Sequence, residues 1–318
     1  MAGTANFVEA QAANRRSTML LLALLTAIAA AFGYLIGWAL QNETTDSFQF
    51  VSPAGVAAAG LMAVLSVGWS LISLALGGRM VLAMADAKPV TREEAPQFFN
   101  VAEEMSIAAG VPMPKLMVME TDALNAFATG TSTSNAAIVV TRGLLGALTR
   151  DELQGVVGHE MGHIANLDTR YMTIVGVTVG LIALVADMIL RTMNWGSFNR
   201  DSNSDRKGGS ASGILIVVLI VVAIFAPLAA KAVQMAVSRQ REYLADATSV
   251  QFTRNPNGLI SALTKIDAAA KPFPGVSNAT QHLFIINPVQ TFTAKSAALL
   301  ATHPETADRI ARLRNLGG

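Results

Sequence analysis

The chain has 318 residues, of which 52% are hydrophobic and 14% charged, with a net charge of +1 and no cysteine. The near-neutral balance leaves no basic footprint for nucleic acid, and the lack of cysteine excludes disulfides and thiolate-bound metals, so a transition-metal site must use His, Asp or Glu. Such an apolar composition points to a lipid bilayer.

A hydrocarbon core roughly 30 Å thick needs about 20 apolar helical residues to cross it. Residues 19–40, "MLLLALLTAIAAAFGYLIGWAL", and 54–78, "AGVAAAGLMAVLSVGWSLISLALGG", meet that length without a charge. The first is longer than the apolar run of a signal peptide and reads as a retained anchor. Gly55, Ala59, Gly60 and Ala63 in the second suit close helix packing in lipid, although small residues are common throughout it. Arg15 and Arg16 precede the first span, no Lys or Arg lies in the loop 41–53, and Arg79, Lys88 and Arg92 follow the second. This asymmetry puts the N-terminus and the region after residue 79 in the cytoplasm.

The segment "EEAPQFFNVAEEMSIAAGV" has helical spacing of Phe98, Val101, Ala102 and Met105 and stops at Gly110. "KLMVMET" and "NAAIVVT" read as strands enclosing "DALNAFATGTSTS". Two further apolar stretches, about 172–190 and 213–230, contain Asp187 and Pro227 and form a hydrophobic hairpin that either crosses the bilayer or stays on the cytoplasmic side. Four basic residues in the hairpin's connecting segment oppose an external location, and its polar 197–212 portion is expected to be disordered.

Thr149 and Glu152 form a capping box before Leu153, Val156, Val157, Met161 and Ile164, so "VVGHEMGHIAN" lies within a helix. His159 and His163, four apart, then present two imidazoles on one face, and Glu160 sits beside them about 100° further round. Zinc suits two imidazoles and a carboxylate with one position left for water. The bland alternative is a chance histidine pair. Against it, two of the chain's four histidines fall in an apolar helix where uncompensated imidazoles are costly. Downstream, "SRQREYLADATS" offers Glu242 as a third ligand and Asp246, on the same helical face, as an acceptor for the other nitrogen of a ligand imidazole. Read alone, that segment is an ordinary charged helix; Asp168 is the alternative carboxylate ligand. His282 reads as a packing or capping residue.

The motifs "LTRDELQGVVGHEMGHIANLD", "SRQREYLAD", "NAFATG", "HLFIINP" and "THPETADRIARL", in this order, resemble the HtpX-type membrane zinc metalloproteases, relatives of the CAAX prenyl proteases. The resemblance runs from about residue 80 to the end and implies one zinc ion held by His159, His163 and Glu242, with Glu160 as catalytic base. It further implies that Asn125 borders the substrate cleft and that His303 and Arg309 close over the site and steady the transition state. Glu305 stands where proline is commoner in that family. On this reading a strand edge near residues 136–140 holds extended substrate.

The expected architecture is mainly α: an integral membrane protein with two to four transmembrane helices and a cytoplasmic, zincin-like α+β metalloprotease domain. Residues 1–80 form the membrane region and 81–318 the protease domain, interrupted by the hairpin. The implied activity is hydrolysis of damaged or misfolded membrane proteins at the cytoplasmic face of a bacterial-type inner membrane. Its partners are polypeptide substrates and the bilayer, with a homo-oligomer left open. The competing readings are a selective CAAX-type processing peptidase and a non-catalytic metal-binding protein or transporter.

Overall fold

Apolar helices dominate the N-terminal third of the computed structural model, which describes residues 7–44, 51–181, 239–270, 280–286 and 304–316. Helix α1 spans Phe7–Thr44 and α2 spans Pro53–Met84. Among the described residues, these two are long and apolar enough to cross a membrane. The chain divides into one unit of residues 19–73 and 178–232 and another of residues 1–18, 74–177 and 233–318.

In the first unit small residues of both helices meet, with Gly55 and Ala59 of α2, two of the four expected there, facing Gly37 and Gly33 of α1. A side chain at Gly33 or Gly37 would run into the backbone of Ala58 or Ala54 on α2, so the helices touch main chain to main chain. Gly60, expected at such a contact, has open space beside it. Leu61, Val64 and Leu71 are exposed, which costs nothing in lipid. Of the apolar hairpin, 172–181 is helical; residues 182–190, 213–230 and the 197–212 segment lie outside the described residues.

The second unit contains a four-stranded sheet in the order β1-β2-β4-β3: β1 is Lys88–Pro89, β2 Lys115–Met119, β3 Ala126–Thr129 and β4 Ala137–Thr141. β2 and β4 run parallel, with Met117 opposite Val139; β1 and β3 are antiparallel to their neighbours. Between the two-residue β1 and β2, helix α3 (Pro96–Ala109) starts with Pro96 and ends at Gly110, whose φ of 64° supplies a left-handed cap. The short helix α4 (Arg142–Ala147) follows β4, and α5 covers Arg150–Ala165. A helical run over 168–181, called α6, is followed after the undescribed residues by α7 (Arg239–Thr253), α8 (Pro256–Ala268) and α9 (Thr306–Leu316).

Alternate strand residues face opposite sides of the sheet. Leu116 and Val118, Ala126 and Ala128, and Ile138 and Val140 join the core formed with Phe98, Val101, Met161 and Ile164. The other face is also covered, since Phe127 packs edge-on against Phe284 and Thr129 bonds to Thr173 of α6 at 2.9 Å. Both faces being buried, β3 lacks a polar alternation, and the sequence reading missed it inside "NAFATG".

Helix α5 lies almost wholly inside the unit. Its glycines admit its neighbours: an ideal Cβ on Gly155 would lie 2.6 Å from the Leu259 nitrogen of α8, and one on Gly162 would lie 3.4 Å from Cα of Ala245 on α7. The expected capping box is present, with Thr149 N–H donating to Glu152 at 2.8 Å. Glu152 also accepts from Ser261 Oγ at 2.6 Å and Lys265 Nζ at 2.7 Å of α8. Burial raises the Glu152 carboxyl, but the Lys265, Ser261 and Thr149 hydrogen bonds outweigh it and hold the group at about 2. A depressed carboxylate pKa stabilises the fold above its unfolded value of 4.5 and loses that contribution as pH falls through about 2. Glu152→Gln is therefore expected to cost on the order of 2 kcal/mol at neutral pH. Urea unfolding of wild type and variant should show the two midpoints converging between pH 4.5 and 2.

Candidate metal centre

Residues three and four apart on α5 stack on one face, which puts the His159 and His163 rings edge to face with centroids 4.7 Å apart. Their Nε2 atoms are separated by 3.2 Å. From α7, Glu242 brings Oε2 to 3.6 Å from His159 Nε2 and Oε1 to 3.5 Å from His163 Nε2. Three ligands around a tetrahedral zinc ion at about 2.0–2.1 Å would be separated by about 3.3 Å. The three side chains thus approach the spacing zinc requires, and they form the cluster able to hold a metal among the described residues.

The other ring nitrogens explain why these donors face inward. His159 Nδ1 lies 2.9 Å from Asp246 Oδ1, and His163 Nδ1 lies 3.0 Å from Asp168 Oδ2. A carboxylate accepting the Nδ1 proton leaves the lone pair of a neutral imidazole on Nε2, as a metal ligand requires.

Asp246 is itself held by Arg309 of α9, whose Nε and Nη2 donate to its two oxygens at 2.9 and 2.6 Å. Arg309 Nη1 donates to the Ile285 carbonyl at 2.9 Å and lies 3.7 Å from Glu242 Oε2. Burial works against the Asp246 carboxylate, but Arg309 overcomes it and lowers that pKa. Burial also lowers the His159 pKa, against the pull of Asp246. For His163 burial is opposed by the Asp168 hydrogen bond and by the charges of Glu242, Asp168 and Glu160, which lift the metal-free ring to about 9. Glu160, next to His159 and buried, is pushed up to about 7 by desolvation and the Glu242 charge, against His163, Arg309 and the Ala128 amide. Its pKa therefore lies where a carboxylate can exchange protons with water near neutrality.

The remaining expected residues are placed as follows. Asn125 is buried, donating to the Ile286 carbonyl at 2.8 Å and accepting from the Ala126 amide at 3.0 Å. His282 is buried and donates to the Met172 carbonyl at 3.1 Å, in keeping with a packing role. His303 lies outside the described residues. The expected substrate edge at residues 136–140 is corrected: β4 is paired on both sides, with β2 and with β3, so its backbone groups are engaged. The edge on that side of the sheet is β3, where the Ala126 carbonyl accepts from the Ile285 amide at 2.9 Å. Asp168, considered as a ligand, instead orients His163. The signal was its position five residues after that histidine, just past a helix end.

Residues 92–316 match Peptidase family M48. A Streptococcus uberis protein named "Protease HtpX homolog" is 40% identical over 311 residues, covering 96% of this chain and 98% of its own. Proteins with the same name from Thermoanaerobacter pseudethanolicus and Tropheryma whipplei are 39% and 37% identical, each over at least 96% of both chains. The crystal structure of S. mikatae Ste24p is similar at 18% identity and a TM-score of 0.48, covering 95% of this chain and 67% of that one. Two long apolar helices with a His-Glu-x-x-His centre define a membrane metalloprotease. The chain belongs to Peptidase family M48.

Arg309→Met would leave the Asp246 carboxylate buried without its cation. Breaking a buried pair in this way costs about 3–5 kcal/mol, so the variant's denaturant midpoint should drop sharply. Arg309→Lys, a single point charge in place of a two-nitrogen fork, should recover only part of the loss.

Proposed function

We propose that the chain is a membrane-anchored zinc endopeptidase that hydrolyses damaged or misassembled membrane proteins at the cytoplasmic face of a bacterial-type inner membrane. The observation that carries this reading is the convergence of His159 Nε2, His163 Nε2 and the Glu242 carboxylate in a buried site, with Glu160 on the adjoining position of the same helix. The name shared by the relatives supports proteolysis, and the two apolar helices support substrates met at the bilayer.

In this mechanism His159, His163 and Glu242 hold zinc, which when bound supplies Lewis acidity to a water molecule and to the peptide carbonyl. Glu160 takes one proton from the water as its oxygen attacks the carbonyl carbon, then delivers that proton to the leaving amine as the C–N bond breaks. One water is consumed and one peptide bond is cut. Asp168 and Asp246 keep both imidazoles in the ligand tautomer. Arg309, engaged by Asp246 and Ile285, is assigned to holding the ligand framework in place of the transition-state role that the resemblance implied. Asn125 stays as a proposed border of the substrate cleft, and His303 as a proposed stabiliser of the transition state.

Glu160→Gln keeps the shape and removes the base, so the purified variant should bind one equivalent of zinc and lose at least about 100-fold in cleavage of a model membrane substrate. Glu242→Ala should lose zinc and cleavage together. Chelator should stop the wild type and added zinc restore it. A Glu160→Gln protein that still cuts, or a wild type indifferent to chelator, overturns the reading.

Placement is tested by single cysteines in this cysteine-free chain, at exposed positions Val51 and Ile107. In intact cells a membrane-impermeant thiol reagent should label Val51→Cys and spare Ile107→Cys until the membrane is permeabilised. The reverse pattern would put the metal centre outside.

A further inference from the structure

The first turns of α1 reach the metal centre. Asn14, 5% exposed, donates through Nδ2 to the Asp168 Oδ1 atom at 2.7 Å and to the Asn166 carbonyl at 3.0 Å. One helical turn earlier, Gln11 Nε2 donates to the Ala165 carbonyl at 2.7 Å. The last carbonyls of an α-helix have no partner within it, and here two side chains from a segment about 150 residues away in sequence satisfy them. Between the two capped carbonyls and Asp168 the chain turns through Leu167, whose φ of 60° is unusual for a residue with a branched side chain. That turn carries Asp168 back under α5, where its second oxygen meets His163 Nδ1 at 3.0 Å.

We infer that Asn14 is a positioning residue of the metal centre: it fixes the Asp168 carboxylate so that His163 holds its ligand nitrogen on the metal. The inference rests on the zinc site proposed above. A carboxylate can rotate about its last bond, and an Asp168 held only by His163 could turn away with the ring. Asn14 occupies Oδ1 and leaves Oδ2 to the imidazole. Arg241 Nε, 3.6 Å from Oδ1, adds charge but lies beyond hydrogen-bonding distance. Asn14 is also well suited chemically. It is neutral, so it adds no competing cation near the zinc, and its amide bonds a backbone carbonyl and a carboxylate with one nitrogen. Gln11 helps to dock the same helical turn but bonds only to backbone, which makes it the internal control.

The test is zinc affinity of the full-length chain in detergent, read by competition with a chromogenic chelator. Carboxylate partners of a ligand histidine are worth about 10- to 100-fold in metal affinity, and a group one bond further out falls at or just below the lower end, so Asn14→Ala should weaken zinc about 5- to 10-fold. Gln11→Ala should stay within about 2-fold of wild type. In an Asp168→Ala background the further change to Asn14→Ala should have no added effect, because the group through which it acts is gone. Asn14→Leu, which keeps the volume and removes the donor, replaces the alanine variant if that does not fold. Zinc affinity unchanged in Asn14→Ala, an equal loss in Gln11→Ala, or a full additional loss in the Asp168→Ala background would each overturn the inference. A wild-type chain that binds no zinc would instead overturn the zinc site itself.

Discussion

The centre depends on one repeated interaction, a buried carboxylate against the Nδ1 atom of each histidine, at 2.9 Å for His159 and 3.0 Å for His163. Each bond fixes a ring plane, and together they hold the two Nε2 atoms facing one another 3.2 Å apart. Much of the surrounding fold can be read as support for these two bonds. Asp246 reaches His159 because Gly158 and Gly162 let α7 close on α5. Asp168 reaches His163 because the chain reverses through a left-handed residue immediately after α5.

The charges around these two bonds are unbalanced. Glu160, Asp168, Glu242 and Asp246 are all buried within contact of the two histidines or one another, and Arg309 is the one fully buried guanidinium that faces them among the described residues. Four ionised carboxylates against one guanidinium would be costly in a medium of low dielectric. Among these groups the surrounding carboxylates lift His163 to about 9, and burial with the Glu242 charge lifts Glu160 to about 7. On the proposed reading, a divalent cation at the imidazoles would replace the charge on His163 and leave Glu160 as the base. On that reading the same excess of negative charge would both favour the metal and ready the proton acceptor.

The parts of this centre legible in sequence were those with short-range rules. Helix periodicity and the Thr149–Glu152 box placed His159, Glu160 and His163 correctly on one helix, and α3 followed from the spacing of Phe98, Val101, Ala102 and Met105. Glu242 and Asp246 were visible as a pair four residues apart, and the structure brings both beside the histidines. What escaped was set by tertiary contact. β3 has no alternation because both of its faces are covered, and β4 reads like an edge strand until its second partner is known. Asp168 has the right chemistry for a ligand, and only the turn at Leu167 decides that it faces Nδ1 of His163 and not the Nε2 side where Glu242 lies. Asn14 could not be assigned from sequence, since nothing local to "AANRRS" points to a helix end more than 150 residues away.

That distance bears on why the apolar helices and the protease centre belong to one chain. The family match begins at residue 92, and by that measure the segment before it is a detachable anchor. The hydrogen bonds argue otherwise. α5 ends at Ala165, and its last carbonyls and the Asp168 carboxylate are satisfied from residues 11 and 14, so removing the start of α1 would strip partners from buried polar groups beside His163. An unsatisfied buried carbonyl or carboxylate costs more than its hydrogen bond contributes when made, because the group has already given up water. A water molecule admitted to replace Asn14 would restore a donor but not a fixed direction, and direction is what the His163 ring requires. The start of the first apolar helix is therefore part of the protease core in the physical sense that matters here, that of completing the hydrogen bonding behind His163.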